Sequence, residues 1–231
     1  MSNYEPFLAL INYRFEMKTK PTFFGALKRR NSYDTDPKSG AYYAYTYYRE
    51  AIAEDCNKRC VYCDSHEDTV GGREAMQIDH FRPWNKPFGK TKERKFEHLK
   101  HVPENLLHAC GVCNRFKSAH WPTDNPDLSH DEEKGWIDPF VEPRNDYLAI
   151  NSDGTISPCK PPGEYIITTL RLNRPFLKRQ RELKQLLEAI DAVAGLKCRE
   201  VIQSKPDSAH AQTARIMLTL LSLIRNSYCR D

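Results

Sequence analysis

The sequence predicts an α+β fold in which helices predominate and a small set of strands is held together by cysteines. Two Cys-x-x-Cys pairs, Cys60/Cys63 and Cys110/Cys113, enclose two short strand-like segments. From about residue 165 onward, apolar side chains recur at three- and four-residue spacing, which is typical of amphipathic helices. The residues before Cys60 are rich in Ala, Arg and Glu, which favours a helix leading into the first cysteine pair.

These observations divide the chain into three predicted regions. We expect a helical N-terminal extension over residues 1–55 and a cysteine-clamped domain over residues 56–135. A hairpin and a helical C-terminal domain would follow over residues 136–231. The second boundary rests on the Pro-, Asp- and Asn-rich stretch that ends near Gly135.

Composition limits the class of protein. The 231 residues are 29% charged, and no apolar run has the length of a membrane span. We therefore expect no membrane association, and the N-terminus shows no signal-peptide pattern. The cysteines outside the two pairs are scattered, which fits a reducing cytoplasm better than a disulfide framework. They are Cys56, Cys159, Cys198 and Cys229.

The two cysteine pairs predict one structural zinc site. Each Cys-x-x-Cys turn can direct two thiolates at one ion, and two such turns give a closed set of four sulfur ligands. A redox dithiol and a chance occurrence are the alternatives, and the presence of two pairs favours zinc over both. The long gap between the pairs means that the ion would hold together the two ends of a substantial insertion.

The segment between the cysteine pairs carries residues suited to phosphodiester hydrolysis. Asp79 is an oxygen ligand for Mg²⁺ or Mn²⁺, and His80 is a candidate general base. Adjacent residues of a strand point to opposite sides, so both reach one centre only where the strand bends or ends. Asn114 offers a second oxygen ligand at the predicted start of a helix, and Lys117 lies one turn further along it.

Positive charge is concentrated in the same segment. Residues 80–117 contain nine Lys or Arg and three Glu, a net charge of +6 in a chain whose total is +4. This pattern favours a polyphosphate partner, although a solvated charged loop is the alternative. Upstream, five tyrosines crowd residues 42–48. They could stack on bases or pack a helix, and the sequence leaves both open.

At these residues the chain resembles the HNH endonuclease family. The matching pattern is Cys60-Val-Tyr-Cys63, then Asp79-His80-Phe-Arg-Pro83, then Asn105, then Cys110-Gly-Val-Cys113-Asn114-Arg-Phe-Lys117. The resemblance implies a ββα-metal core of two strands and a helix around a catalytic ion. It departs from the family pattern at one position, where Asn114 replaces the third motif His and makes Mg²⁺ or Mn²⁺ more suitable than a His-ligated metal.

The resemblance also implies a role for each motif residue. His80 would be the general base, Asp79 and Asn114 would bind the catalytic Mg²⁺ or Mn²⁺, and Asn105 would fix the loop between the strands. Cys60, Cys63, Cys110 and Cys113 would bind the structural Zn²⁺. We expect three cations to position the nucleic-acid backbone: Arg82, Arg115 and Lys117.

The C-terminal region has its own local signals. The turn Asn151-Ser-Asp-Gly154 between apolar runs predicts a hairpin. Asn173 and Ser208 are candidate caps for two helices, and Pro175 suits the first turn of the first. The order Trp136-Ile-Asp-Pro-Phe, hairpin, then Leu170-Arg-Leu-Asn is similar to the HNH subunit of Septu-type anti-phage systems. That resemblance implies an ATPase partner of the ABC/SMC-like class.

The functional prediction is therefore a metal-dependent HNH endonuclease that cleaves nucleic acid, with DNA expected, in a defence role beside an ATPase. The alternative is a zinc-clamped module that binds nucleic acid or protein without catalysis. Such a module would keep the cysteines and the basic residues. It would not require the Asp-His pair together with Asn105, Asn114 and Lys117, and their joint presence favours the enzyme.

Overall fold

Two short antiparallel hairpins supply the named strands in the described part of the chain. The computed structural model describes residues 24–86, 93–122, 125 and 127–228. Strand β1 (Met76–His80) pairs with β2 (Leu106–Cys110), and β3 (Leu148–Ile150) pairs with β4 (Ile156–Pro158). The helices are α1 (Arg49–Asp55), α2 (Gly111–Lys117), α3 (Gly163–Thr169), α4 (Pro175–Ser204) and α5 (Ala209–Tyr228). The predicted mixture of helices and strands is confirmed.

The first hairpin and the helix after it hold the motif residues. Asp79 pairs with Leu107 and His80 with Leu106 across the two strands. All five residues of β2 are buried, which explains its nearly continuous apolar sequence. Helix α2 follows β2 without a loop, so the strand–strand–helix order is compatible with an HNH core.

The start of α2 differs from the prediction. The sequence suggested that the helix begins at Asn114, whereas it begins at Gly111 with Cys110 as its N-terminal cap. The Cys110 sulfur accepts a hydrogen bond from the Cys113 backbone N–H at 3.5 Å. A cysteine can thus satisfy a first-turn amide that has no partner within the helix, as Ser or Asp usually does. Asn114 consequently lies in the middle of the helix.

Aromatic side chains build the core next to the motif. Trp121 is 1% exposed, and its ring lies 5.6 Å from that of Phe81 and 5.2 Å from that of Phe96. Trp136, also 1% exposed, lies 6.3 Å from Tyr62, and its indole N–H donates to the His120 carbonyl at 2.8 Å. These packed rings bury large apolar areas and hold the loops that follow β1 and α2.

The chain forms two compact units. Of the described residues, those within 24–151 and 155–178 form one unit, and the other includes residues 152–154 and 179–228. Residues 136–151 and 155–178 thus share a unit with the cysteine clamp, and the domain boundary expected near residue 135 stays a prediction. Buried Arg144 connects these residues to the clamp, because it donates to the Val61 carbonyl at 2.8 Å. Several predictions fall on residues outside the described ones: part of the N-terminal extension (residues 1–23), part of the positively charged segment 80–117 (residues 87–92) and Cys229.

The local signals of the C-terminal region were partly right. The hairpin between residues 148 and 158 is confirmed, and Ser208 caps α5 by accepting from the Ala211 N–H at 3.1 Å. The capping role expected for Asn173 stays a prediction. Its amide hydrogen-bonds both backbone groups of Ile156, at 2.7 and 2.9 Å, and so extends the second hairpin. None of the described helices is long and apolar enough to cross a membrane.

Candidate active site

Four cysteine sulfurs converge at one end of the first hairpin. The Sγ atoms of Cys60, Cys63, Cys110 and Cys113 all lie within 4.8 Å of one another, and all four residues are buried. The first pair sits in a turn and the second spans the end of β2 and the start of α2. The turn of the first pair is fixed to β2, because the Val61 N–H donates to the His108 carbonyl at 3.0 Å.

The geometry of this cluster fits a zinc ion. Zn–S bonds of about 2.3 Å in a tetrahedral site place the sulfurs about 3.8 Å apart. The distance between the Cys63 and Cys110 sulfurs is 3.9 Å. The Arg174 guanidinium lies 3.5 Å from the Cys113 sulfur and supplies positive charge beside a thiolate-rich site. The predicted convergence of the four cysteines is confirmed, and the cluster could hold one structural metal ion.

Asp79 is held by a buried network. Its side chain is 6% exposed, and the Lys117 ammonium lies 3.2 Å from Oδ1 and 3.0 Å from Oδ2. The Tyr62 hydroxyl donates to Oδ2. Burial and the Asp79 charge raise the pKa of Tyr62 well above its ordinary value, so the phenol remains a donor. Tyr62 lies inside the first cysteine pair and Lys117 on the helix of the second, so both halves of the clamp hold this carboxylate.

His80 is oriented by the backbone and by aromatic neighbours. Its Nε2 atom lies 2.9 Å from the Lys100 carbonyl, which can only accept. In the neutral ring Nε2 therefore carries the proton, and Nδ1 is left as the basic nitrogen. The Tyr45 ring lies 5.0 Å from the imidazole at an interplanar angle of 71°. Desolvation by burial lowers the pKa of His80, which keeps the imidazole neutral at pH 7.

A cleft of about 370 Å³ brings the candidate catalytic residues together. Asp79, His80 and Asn114 all line it, as does the exposed Arg115. The adjacent residues Asp79 and His80 share this cleft because β1 ends at His80, as the strand-end argument required. The Asn114 amide donates through Nδ2 to Gln77 Oε1 at 2.7 Å. Carboxylate and amide oxygens in one cleft are suitable donors for Mg²⁺ or Mn²⁺.

Asn105 joins the end of β1 to the segment before β2. Its Oδ1 accepts from the Arg82 N–H at 2.8 Å, and its Nδ2 donates to the Arg82 carbonyl at 2.9 Å. Its own carbonyl accepts from the Phe81 N–H at 2.8 Å. The side chain is buried, and both ends of its amide form hydrogen bonds to the backbone. Asn105 thus fixes the two residues that follow His80 and does not line the cleft.

Two of the three predicted phosphate-binding cations lie elsewhere. Lys117 is completely buried, and besides Asp79 its ammonium contacts the His80 carbonyl at 2.8 Å. Its charge therefore compensates Asp79, and the expected contact with substrate does not follow from this structure. The Arg82 guanidinium lies over the rings of Phe81 and Trp121 at 5.4 and 5.6 Å. Among these three cations, Arg115 is the one that lines the cleft.

Sequence reasoning missed three residues of this site. The sequence position of Tyr62 could have indicated its role, because a hydrogen-bonding residue between two metal ligands is held in a fixed place. Gln77 also had an indication in the sequence, since it lies two residues before Asp79 and strand alternation puts both on one face. Tyr45 had none beyond the tyrosine-rich composition. Its contact with His80 favours packing over base stacking at that position, and Tyr48 is likewise buried.

Comparison with known proteins gives one family match, and it covers the segment that carries this site. No curated protein and no solved structure matches the chain significantly. Residues 60–120 match the family model described as HNH endonuclease. This range begins at the first clamp cysteine and includes β1, β2 and α2 with all the motif residues. The matched segment is similar to HNH endonuclease domains, which supports the HNH family and suggests a nuclease.

Proposed function

We propose that this protein is a metal-dependent endonuclease that hydrolyses phosphodiester bonds in DNA. The observation that carries the proposal is the cleft shared by Asp79, His80 and Asn114 beside the four-cysteine cluster. A binding module would have no need for an imidazole with a lowered pKa in a cleft that also contains a carboxylate and an amide. Titratable groups that lie in a cleft and have a shifted pKa are typical of catalytic centres.

His80 supplies the base in the proposed reaction. The Lys100 carbonyl holds Nε2–H, so Nδ1 is the nitrogen that takes a proton from the attacking water. The resulting hydroxide attacks phosphorus as the bond to the leaving oxygen breaks, and solvent returns a proton to that oxygen. The pKa lowered by burial makes the neutral imidazole available over a wider pH range than a solvent-exposed histidine would allow.

Asp79 and Asn114 would hold a divalent cation. When bound, Mg²⁺ or Mn²⁺ stabilises the negative charge that develops on the phosphate and on the leaving oxygen. Tyr62 and Lys117 keep the Asp79 carboxylate in one orientation. A structural Zn²⁺ at the four cysteines would hold Tyr62 and α2, and through them Asp79, in place.

Positive charge at the cleft supports a nucleic-acid substrate. Arg115 is exposed and lines the cleft, where it can contact a phosphate oxygen. The excess of Lys and Arg over residues 80–117 adds a favourable field around it. Contacts of this kind bind the backbone and carry no sequence preference, so the proposal includes none.

We also propose that the protein acts in anti-phage defence with an ATPase of the ABC/SMC-like class. The support is the similarity of residues 136–181 to the Septu HNH subunit, together with an apolar stripe on α5. Ile216, Met217, Leu220 and Leu223 are between 46% and 61% exposed. In a pull-down with an ATPase encoded beside it, Leu220→Glu should weaken capture and Gln212→Glu, on the same helix, should not. If Leu220→Glu is captured as well as Gln212→Glu, the apolar stripe on α5 does not bind the ATPase.

The nuclease assignment is tested with purified, zinc-loaded protein. Supercoiled plasmid, linear duplex, single-stranded DNA and RNA are incubated with Mg²⁺ or Mn²⁺, with and without the ATPase. We expect DNA cleavage that needs the divalent ion and stops with EDTA. Binding without cleavage under every condition would favour the zinc-clamped binding module, and cleavage of RNA alone would correct the substrate.

A further inference from the structure

Gln77 lies beside Asn114, a proposed metal ligand, and has no role in the proposed reaction. It is an exposed residue of β1, two positions before Asp79, and it lines the same cleft as Asp79 and Asn114. Its Oε1 atom accepts a hydrogen bond of 2.7 Å from Asn114 Nδ2, which connects the strand to α2 across the cleft. Among the residues that the structure describes, Gln77 is the hydrogen-bond partner of the Asn114 amide.

An amide side chain has two unlike ends, and only one of them can bind a cation. The oxygen has free lone pairs, whereas the nitrogen presents two N–H donors. If the Asn114 side-chain amide were rotated by about 180°, it would present N–H groups where the proposed function requires an oxygen. The hydrogen bond to Gln77 occupies Nδ2 and leaves Oδ1 as the end available to a ligand.

We infer that Gln77 is a positioning residue that selects the metal-binding orientation of the Asn114 amide. This inference rests on the proposed function, because it assumes that Asn114 Oδ1 binds the divalent ion. Partners that orient a ligand in this way typically change metal affinity by about 10- to 100-fold when they are replaced. The Gln77–Asn114 pair is exposed to solvent, so we expect an effect at the lower end, about tenfold.

The test measures Mn²⁺ affinity by electron paramagnetic resonance of the free ion, using full-length zinc-loaded protein. Gln77→Leu removes the acceptor and should weaken Mn²⁺ binding about tenfold. Gln77→Glu keeps an acceptor and cannot donate at neutral pH, so it should retain binding. In an Asn114→Ala background, Gln77→Leu should have no further effect. Zinc content and thermal unfolding confirm that each variant is folded.

Each contrary result has a distinct meaning. Equal weakening by Gln77→Leu and Gln77→Glu would show that Gln77 donates to Asn114 Oδ1, and would overturn the inference. An unchanged affinity in Gln77→Leu, or the same loss in the Asn114→Ala background, would also overturn it. Wild-type protein that binds no Mn²⁺ would overturn the metal-binding role of Asn114 in the proposed function itself. The first three results would leave that function intact.

Discussion

Replacement of Lys117 by Met tests whether a buried ion pair stabilises the catalytic strand. Met has a similar length and apolar body, so the substitution removes the charge with little change in volume. In the native protein the Lys117 ammonium contacts both Asp79 oxygens, at 3.2 and 3.0 Å, and the His80 carbonyl at 2.8 Å. Without it, the Asp79 carboxylate keeps the Tyr62 hydroxyl but loses its compensating charge.

The magnitude follows from burial. Lys117 is 0% exposed and Asp79 5% exposed, so solvent screens the pair weakly. Breaking a buried pair by removing one partner costs about 3–5 kcal/mol of unfolding free energy. Arg115→Met removes the same charge from an exposed position of the same helix and should change stability by no more than about 0.5 kcal/mol.

Urea unfolding of zinc-loaded protein, followed by tryptophan fluorescence, measures both variants. The double variant Asp79→Asn/Lys117→Met removes both charges and should be less destabilised than the two single changes together, with a coupling of about 2–3 kcal/mol. If Lys117→Met costs no more than Arg115→Met, or if the single effects simply add, the buried ion pair does not stabilise this strand and the structural argument for Lys117 fails.

Three further predictions follow from the same site. Wild-type protein should contain about one zinc per chain by elemental analysis; Cys110→Ser should lose it while Cys159→Ser, at an exposed cysteine, keeps it, and zinc retained by Cys110→Ser would contradict the clamp. Tyr62→Phe should keep zinc but lose about 1.5–3 kcal/mol of unfolding free energy and cleave more slowly. Tyr47→Phe, at an exposed ring, should keep its zinc, its stability and its cleavage rate. If the two variants have the same stability and cleavage rate, Tyr62 does not belong to the network. The cleavage rate should rise with pH as His80 loses its proton, with a midpoint below the ordinary imidazole pKa of about 6.5 because burial lowers this pKa; a midpoint above that value would contradict the burial of His80.

The parts of the site that depend on local spacing could be predicted from the sequence. Two residues between the cysteines of each pair fix the direction of their thiolates, and so the cluster of Cys60, Cys63, Cys110 and Cys113 was predictable. The strands around Asp79 and Leu106 were also predictable in kind, because short apolar runs bounded by loops favour strands. The start of the following helix was less accurate, because capping by the Cys110 sulfur lets α2 begin at Gly111, three residues before the expected Asn114.

The parts that depend on packing between segments could not be predicted. Lys117 lies three positions after Asn114, so both were expected on one helical face toward the substrate. The packing of α2 against β1 instead buries Lys117 on Asp79 and leaves Asn114 at the cleft. Asn173 has the sequence position of a helix cap, and its two hydrogen bonds to the Ile156 backbone had no signal in the local sequence. In each case, the side chain contacts a partner that is distant in the sequence.

The rate of DNA cleavage by His80→Ala tests the central claim most directly. The assay compares wild type, His80→Ala and His98→Ala under single-turnover conditions, with Mg²⁺ or Mn²⁺ and any required ATPase present. His98 is exposed and makes a matched control in the same segment. Loss of a general base costs about 10²–10⁴ in rate, so His80→Ala should fall by that factor while it keeps its zinc and its DNA binding, and His98→Ala should match wild type. Cleavage by His80→Ala at the wild-type rate would contradict the assignment of this cleft as the active site.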